Sequence, residues 1–121
     1  MTRWIEAADV AEVLQPGMTL FIAGATAEPR ETLQARASRG ERCAGVRFVS
    51  VSVPGINAID FSAFHPQANC TAFLATAENR ASIAAGRTNF VPMHYSAIYR
   101  CLKREMQIDV VLLQLPPADS S

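Results

Sequence analysis

Apolar positions along the chain fall into two patterns, short continuous runs and helically spaced stripes, and the two alternate. Over 8–15, Val10, Val13 and Leu14 share one face, Asp9 and Glu12 lie off it, and Pro16-Gly17 ends the segment, which predicts a helix. Residues 18–23 (M-T-L-F-I-A) are nearly all apolar, as in strands buried on both faces of a parallel sheet. A loop of small residues, 24–28, then meets Pro29, expected as the first residue of a helix that turns Leu33 and Ala37 inward and stops at Gly40. The β-branched run 46–52 predicts a second strand, broken by Pro54-Gly55.

Between 56 and 70 the apolar residues Ile56, Ile59, Phe61 and Phe64 fit neither period, so a partly helical excursion is expected there. Further on, a strand is expected over 71–75, a helix over 78–85 closed by Gly86, and a very short strand at 89–91. Ser96 is expected to cap a helix whose stripe is Ile98, Cys101, Leu102 and Met106. The run 108–115 (I-D-V-V-L-L-Q-L) is the strongest strand, expected to be the most buried, and Pro116-Pro117 stops it.

Alternation of this kind predicts an α/β fold: a three-layer α/β/α domain with a mainly parallel sheet of about five strands. There is no internal repeat or linker-like stretch, so 1–121 is read as a single domain. The chain ends soon after its strongest strand, at the side of an α/β sheet where ligands sit, and is therefore expected to be a truncated piece of a longer protein.

Composition narrows the function classes. With 121 residues, half of them apolar, the chain can bury a core without staples. Eleven basic residues balance eleven acidic ones, which argues against a dedicated nucleic-acid or anionic-membrane binder. The three cysteines, Cys43, Cys70 and Cys101, are widely spaced with no C-x-x-C pair, matching a reducing compartment rather than a disulfide framework. No run approaches a membrane span and no hydrophobic leader opens the chain, so a cytoplasmic location is expected.

Chemistry is sparse. The turn Gly24-Ala25-Thr26-Ala27-Glu28-Pro29 lets a ligand approach the backbone at a helix start, where free N–H groups favour an anion. It lacks G-x-G-x-x-G and the Lys-Ser/Thr of a phosphate loop, which counts against a flavodoxin-type or nucleotide-binding domain. A plain strand-to-helix turn, with Glu28 satisfying helix N–H groups, is the alternative. His94-Tyr95-Ser96 suggests a Ser–His pair, yet residues two apart at a helix entrance rarely meet and no acid orients the imidazole. His65 and Cys70 match no zinc pattern, so no metal is expected. The arginines at 30, 36, 39, 42 and 47, interleaved with Glu31 and Glu41, read as a solvated face or a phosphate patch. Glu28, Glu78 and Asp119 fall near strand ends, but none has a partner that would make it a general acid or base.

Two longer strings are more specific: Gly86-Arg87-Thr88-Asn89-Phe90-Val91-Pro92-Met93-His94-Tyr95-Ser96, and Asp109-Val110-Val111-Leu112-Leu113-Gln114-Leu115-Pro116-Pro117-Ala118-Asp119. With the opening Pro16-Gly17-Met18-Thr19-Leu20-Phe21 and the Gly24, Pro29, Leu33 turn, the chain resembles the N-terminal half of the acetyl-CoA hydrolase/transferase family, which includes 4-hydroxybutyrate CoA-transferase-like enzymes. The resemblance implies transfer of coenzyme A between an acyl-CoA and a small carboxylate, or acyl-CoA hydrolysis. It implies a glutamate nucleophile in the family's C-terminal half, matched by nothing here, so no catalytic residue is assigned and the chain alone is expected to be inactive. It also implies that Gly24, Ala25 and Thr26, the strand end Val53 with Pro54 and Gly55, and His94 and Ser96 with Met93 and Tyr95 between and beside them, line the acyl/carboxylate pocket. CoA or acyl-CoA is the expected substrate, with no covalently bound cofactor. The expected partner is the C-terminal half or a separate chain, with self-association open; a non-catalytic assembly module is the alternative.

Overall fold

The computed structural model describes residues 5–37 and 40–116. Five strands form one sheet: β1 (Thr19–Ile22), β2 (Arg47–Ser50), β3 (Asn69–Ala72), β4 (Thr88–Phe90) and β5 (Val110–Leu112), in the order β4-β3-β2-β1-β5. Every pairing is parallel, with Leu20 opposite both Phe48 and Val110, and Phe48 opposite Cys70. Parallel neighbours need crossovers. These are α1 (Arg30–Ala37), the excursion between β2 and β3, α2 (Arg80–Ala84) and α3 (Tyr95–Arg104). The result is the expected α/β three-layer architecture, wholly rather than mainly parallel.

Side chains alternate across the sheet, and the two faces differ. The first face carries Leu20, Ile22, Phe48 and Cys70, packed against Leu14, Leu33, Cys43 and Phe61, with Val110 and Leu112 at its margin. At its centre Phe48 stacks on Phe61 (centroids 5.9 Å apart) while Phe64 meets both rings edge-on. The second face is covered by α3, whose Ile98 and Cys101 pack with Val49 and Phe73, and with Phe21, Val51, Leu102 and Met106 beside them. Burial pushes the Cys70 thiol up to about 12, and Asp60 adds to the shift.

Five expectations are corrected. The first helix is a 3-10 helix, Ala7–Val13; this tighter winding aligns residues three apart, and Val13 is 48% exposed while Leu14 is buried. Pro29 precedes α1 rather than opening it, its carbonyl accepting the Leu33 N–H (3.0 Å). β3 begins at Asn69, because pairing with β2 sets its register, and Phe73 leaves the sheet to be buried beneath α3. Ser96 does not cap α3: His94 holds the N-cap position, its carbonyl accepting from Ala97 and Ile98, and Ser96 lies inside the first turn. Finally, β5 is an edge strand with Val111 50% exposed, not the most buried strand. Its hydrophobicity covers the rim of the first-face core instead. Ala37 as a core residue, Arg36 and Arg39 in the arginine group, and Asp119 near a strand end lie outside the described side chains.

Asp109 fixes the start of β5. Its carboxylate accepts the Thr19 N–H (2.8 Å) while its own N–H donates to the Thr19 carbonyl (2.9 Å), locking β5 to β1 in register. Replacing Phe48 with alanine removes the central member of the aromatic trio, and we expect a loss of about 3–5 kcal/mol in urea unfolding with the native fold retained.

Candidate functional site

In parallel sheets with helices on both faces, ligands gather at the carboxyl ends of strands, at the point where strand order reverses. Here that point lies between β1 and β5, since crossovers advance from β1 through β4 and α3 then returns the chain to the far side of β1. The loop leaving β1 is a 3-10 turn, Ala25–Ala27. It is bound twice to β5 and its exit: the Ala23 N–H donates to the Leu112 carbonyl (3.0 Å), and the Gln114 N–H to the Ala27 carbonyl (2.8 Å).

On the other side the loop presses on the exit of β2. A Cβ at Gly24 would lie 1.8 Å from the Val51 carbonyl oxygen, so no larger residue fits without moving the backbone. Ala25 follows with φ of 50°, in the left-handed region that alanine seldom occupies. Asn57 holds it there. The Asn57 Oδ1 accepts N–H groups from Ala25 (2.8 Å) and from Val53 (2.8 Å), and Nδ2 donates to the Ala25 carbonyl (3.0 Å). One side chain, 1% exposed, thus satisfies both backbone groups of the strained residue and fastens the 53–55 loop to it.

Glu28 completes this knot. It is 4% exposed, its carboxylate within 3.7 Å of the Arg30 guanidinium, and Arg30 in turn donates to the Ile56 carbonyl (3.1 Å). Burial pushes the Glu28 carboxyl above its ordinary value of 4.5, while Arg30 and a hydrogen bond from Asn57 pull the other way. The start of α1 therefore carries a negative group of its own, placed as the helix dipole favours, which weakens the reading of this turn as an open anion site.

The site residues named from sequence are placed as follows. Gly24, Ala25 and Thr26 lie on the β1 exit, and Pro54 and Gly55 form an exposed turn tied to it through Asn57 and Val53. His94 and Ser96 are exposed at the start of α3, on the second face, where Met93 joins the same apolar cluster as Val51. Among the described residues no hydrogen bond or ion pair joins His94 or Ser96 to the other two segments. Asn57 is the member that sequence reading did not name, and an asparagine embedded in Ile56, Ala58 and Ile59 just after a Pro-Gly turn is the signal that marks it; Glu28, read there as a cap for helix N–H groups, faces Arg30 and Asn57 instead. A separate groove of about 380 Å³, lined by Thr19, Arg47, Thr71, Gln107 and Asp109, opens at the opposite, amino end of the strands. His65, set aside as a metal ligand, accepts the Gln67 N–H on Nδ1 (2.9 Å).

No described protein family and no curated protein matches the chain. A structure of a mutant form of RipA superposes on 96% of this chain with a TM-score of 0.80 and 23% sequence identity. The chain spans 29% of that structure's length, and the likeness is one of fold. No helix among the described residues is long and apolar enough to cross a membrane.

Two outcomes follow from the knot. Asn57→Ala leaves the buried N–H groups of Ala25 and Val53 unpaired, at about 1–3 kcal/mol each, and should cost at least about 2 kcal/mol in chemical denaturation. Glu28 binds its proton more tightly folded than unfolded, so stability falls as pH rises from 4.5 through the raised value and stays lowered above it. Glu28→Gln keeps the shape without that charge; its thermal midpoint should equal or exceed the parent's at neutral pH, with the advantage shrinking as pH falls through the raised value towards 4.5.

Proposed function

We propose that this chain forms the first α/β unit of an acyl-CoA:carboxylate CoA-transferase or acyl-CoA hydrolase, of the acetate or 4-hydroxybutyrate type, and supplies one wall of the acyl/carboxylate pocket. The observation that supports this reading most is the coincidence of two independent features. The family-like string 86–96 and the described part of the second, 109–116, run into the carboxyl side of a wholly parallel sheet, and the Gly24 turn on that same side is held in a strained, pre-set shape by a buried asparagine. A loop whose backbone is fixed in advance presents its groups to a ligand without further ordering cost.

In this reading acyl-CoA and a small carboxylate are substrates and no resident cofactor is needed. The attacking carboxylate displaces the CoA thiolate from the acyl carbonyl, giving a mixed anhydride; the thiolate then opens the anhydride to an enzyme-bound thioester and frees the first carboxylic acid. A second carboxylate reverses these steps, or water ends them. The nucleophile comes from a partner half, in the same polypeptide or another. Glu28 is not it, being enclosed by Asn57 and Arg30. A cytoplasmic location belongs to the same reading.

The second reading, an assembly module that pairs with a separate half, draws on Val111, Leu113 and Leu115, which are 50%, 44% and 72% exposed along the open β5 edge and beyond it. Titrating acetyl-CoA into the isotope-labelled chain tests both. Pocket wall predicts amide shifts at Gly24, Ala25, Thr26, Gly55, His94 and Ser96, with no acetyl exchange into labelled acetate. Absence of shifts at millimolar acetyl-CoA favours the assembly module, and turnover by the clean chain overturns the assignment of the chemistry to a partner half.

A further inference from the structure

The first face of the sheet is filled unevenly. Its amino-side half holds the Phe48, Phe61 and Phe64 trio, whereas its carboxyl-side half carries Ser50, Ser52 and Ala72, too small to reach the 3-10 turn Phe61–Ala63 packed above. The gap is a cavity of about 10 Å³, room for the centre of one water-sized sphere, with a mixed lining in which Ser50, Ser52 and Asp60 face the apolar Ile59, Phe61 and Ala72. A void of that size holds a water when it is polar and offers two to four partners; an apolar one stays dry.

The hydrogen-bond accounting around it does not close within the protein. Ser50 and Ser52 are 6% and 4% exposed, yet their hydroxyl oxygens stand 3.5 Å apart, well beyond the ordinary 2.5–3.0 Å for O–H···O. Ser82 has a single hydroxyl proton and three oxygen neighbours: the Asn79 carbonyl (2.9 Å), Thr88 Oγ1 (2.8 Å) and Asp60 Oδ1 (3.3 Å). With Thr88 donating to Ser82, and Ser82 to the Asn79 carbonyl, the longer approach to Asp60 carries no proton. Asp60 Oδ1 keeps the Ser62 N–H (3.1 Å) and hydroxyl (2.7 Å), and Oδ2 has no partner among the described residues. Buried hydroxyls left in this way carry a desolvation penalty that a bridging partner removes, and half-buried Asp60 offers the nearest free acceptor.

We propose that this cavity is a binding site for one structural water, which accepts from the Ser50 and Ser52 hydroxyls and donates to Asp60. It would anchor the 53–64 excursion, and with it the loop that Asn57 positions, to the end of β2. The proposal is independent of the enzymatic reading, since it concerns only how the excursion is held.

Water–protein cross-relaxation on the isotope-labelled 121-residue chain tests it. Long-lived water contacts to the Ser52 and Thr88 amides are expected, and Ser52→Val, which fills the cavity with methyl groups, should abolish them while the dispersed amide spectrum persists. Absence of such contacts in the parent, or their survival unchanged in Ser52→Val, overturns the site. Should that variant fail to fold, the Ser50→Ala, Ser52→Ala double variant removes two of the three partners: loss of the contacts supports the site, and undiminished contacts refute it.

Discussion

Much of the carboxyl side of this molecule depends on how one amide side chain is used. Asn57 offers one acceptor oxygen with two lone pairs and one donor nitrogen with two protons, and the fold employs nearly all of that capacity within a volume closed to solvent. Ala25 sits in a conformation that costs on the order of 1–3 kcal/mol and persists only where its surroundings over-determine it. Two bonds from Asn57 to the same residue provide that determination, much as a strand partner would. Because the third bond goes to Val53, the exits of β1 and β2 cannot move independently. An aspartate would keep the acceptors but lose the donor, and would set a second carboxylate beside Glu28. A leucine would fill the space and leave the N–H groups of two loops unpaired.

The two faces of the sheet divide the labour. Cohesion is concentrated in the aromatic trio and aliphatic residues of the first face toward the amino ends of the strands, where Phe48 is almost fully enclosed. At the exit of β2 the same face turns polar with Ser50 and Ser52, and at its β4 side it carries Thr88 bonded to Ser82, with Asp60 and Ser62 of the excursion between them. A network of this kind specifies position more than it adds stability, since each bond exchanges for one with water and nets about 1 kcal/mol. This polar patch thus places rigidity of location, rather than bulk burial, beside the exit of β2.

What could be read in advance followed from local rules, and what could not depended on distant partners. The runs at 18–23 and 46–52 became β1 and β2, and the stripe of α3 emerged as expected, since these patterns report burial directly. The rank of β5 did not, because I-D-V-V-L-L-Q-L is equally apolar whether the strand lies at the centre or at an edge that still roofs Leu20 and Ile22. β3 was misplaced because Phe73 is buried by α3 after leaving the sheet, so its hydrophobicity marked a contact rather than a pairing. The excursion was opaque for a related reason: Asn57 is organised by bonds to Ala25, far back in the chain at the exit of β1. Of the candidate site, Gly24 was visible as a small residue in a tight turn, but the carbonyl that forbids a Cβ there belongs to β2.

Glu28 shows why a carboxylate at the right end of a sheet is not by that fact a nucleophile. To attack a thioester it would need to be ionised, unencumbered and able to reach the acyl carbon. Its surroundings oppose each requirement. Burial favours the protonated form, Asn57 and Arg30 claim its oxygens, and the knot it belongs to fixes the very loop a substrate would touch. Freeing it to react would release Ala25 from its strained shape, so chemistry at Glu28 and pre-organisation of the β1 exit exclude one another. In the proposed pocket-wall role, separating the two duties is the physical reason for a second half. Under that proposal, this unit keeps its carboxylate buried beside the loop, and the partner half would bring one free to form and break bonds.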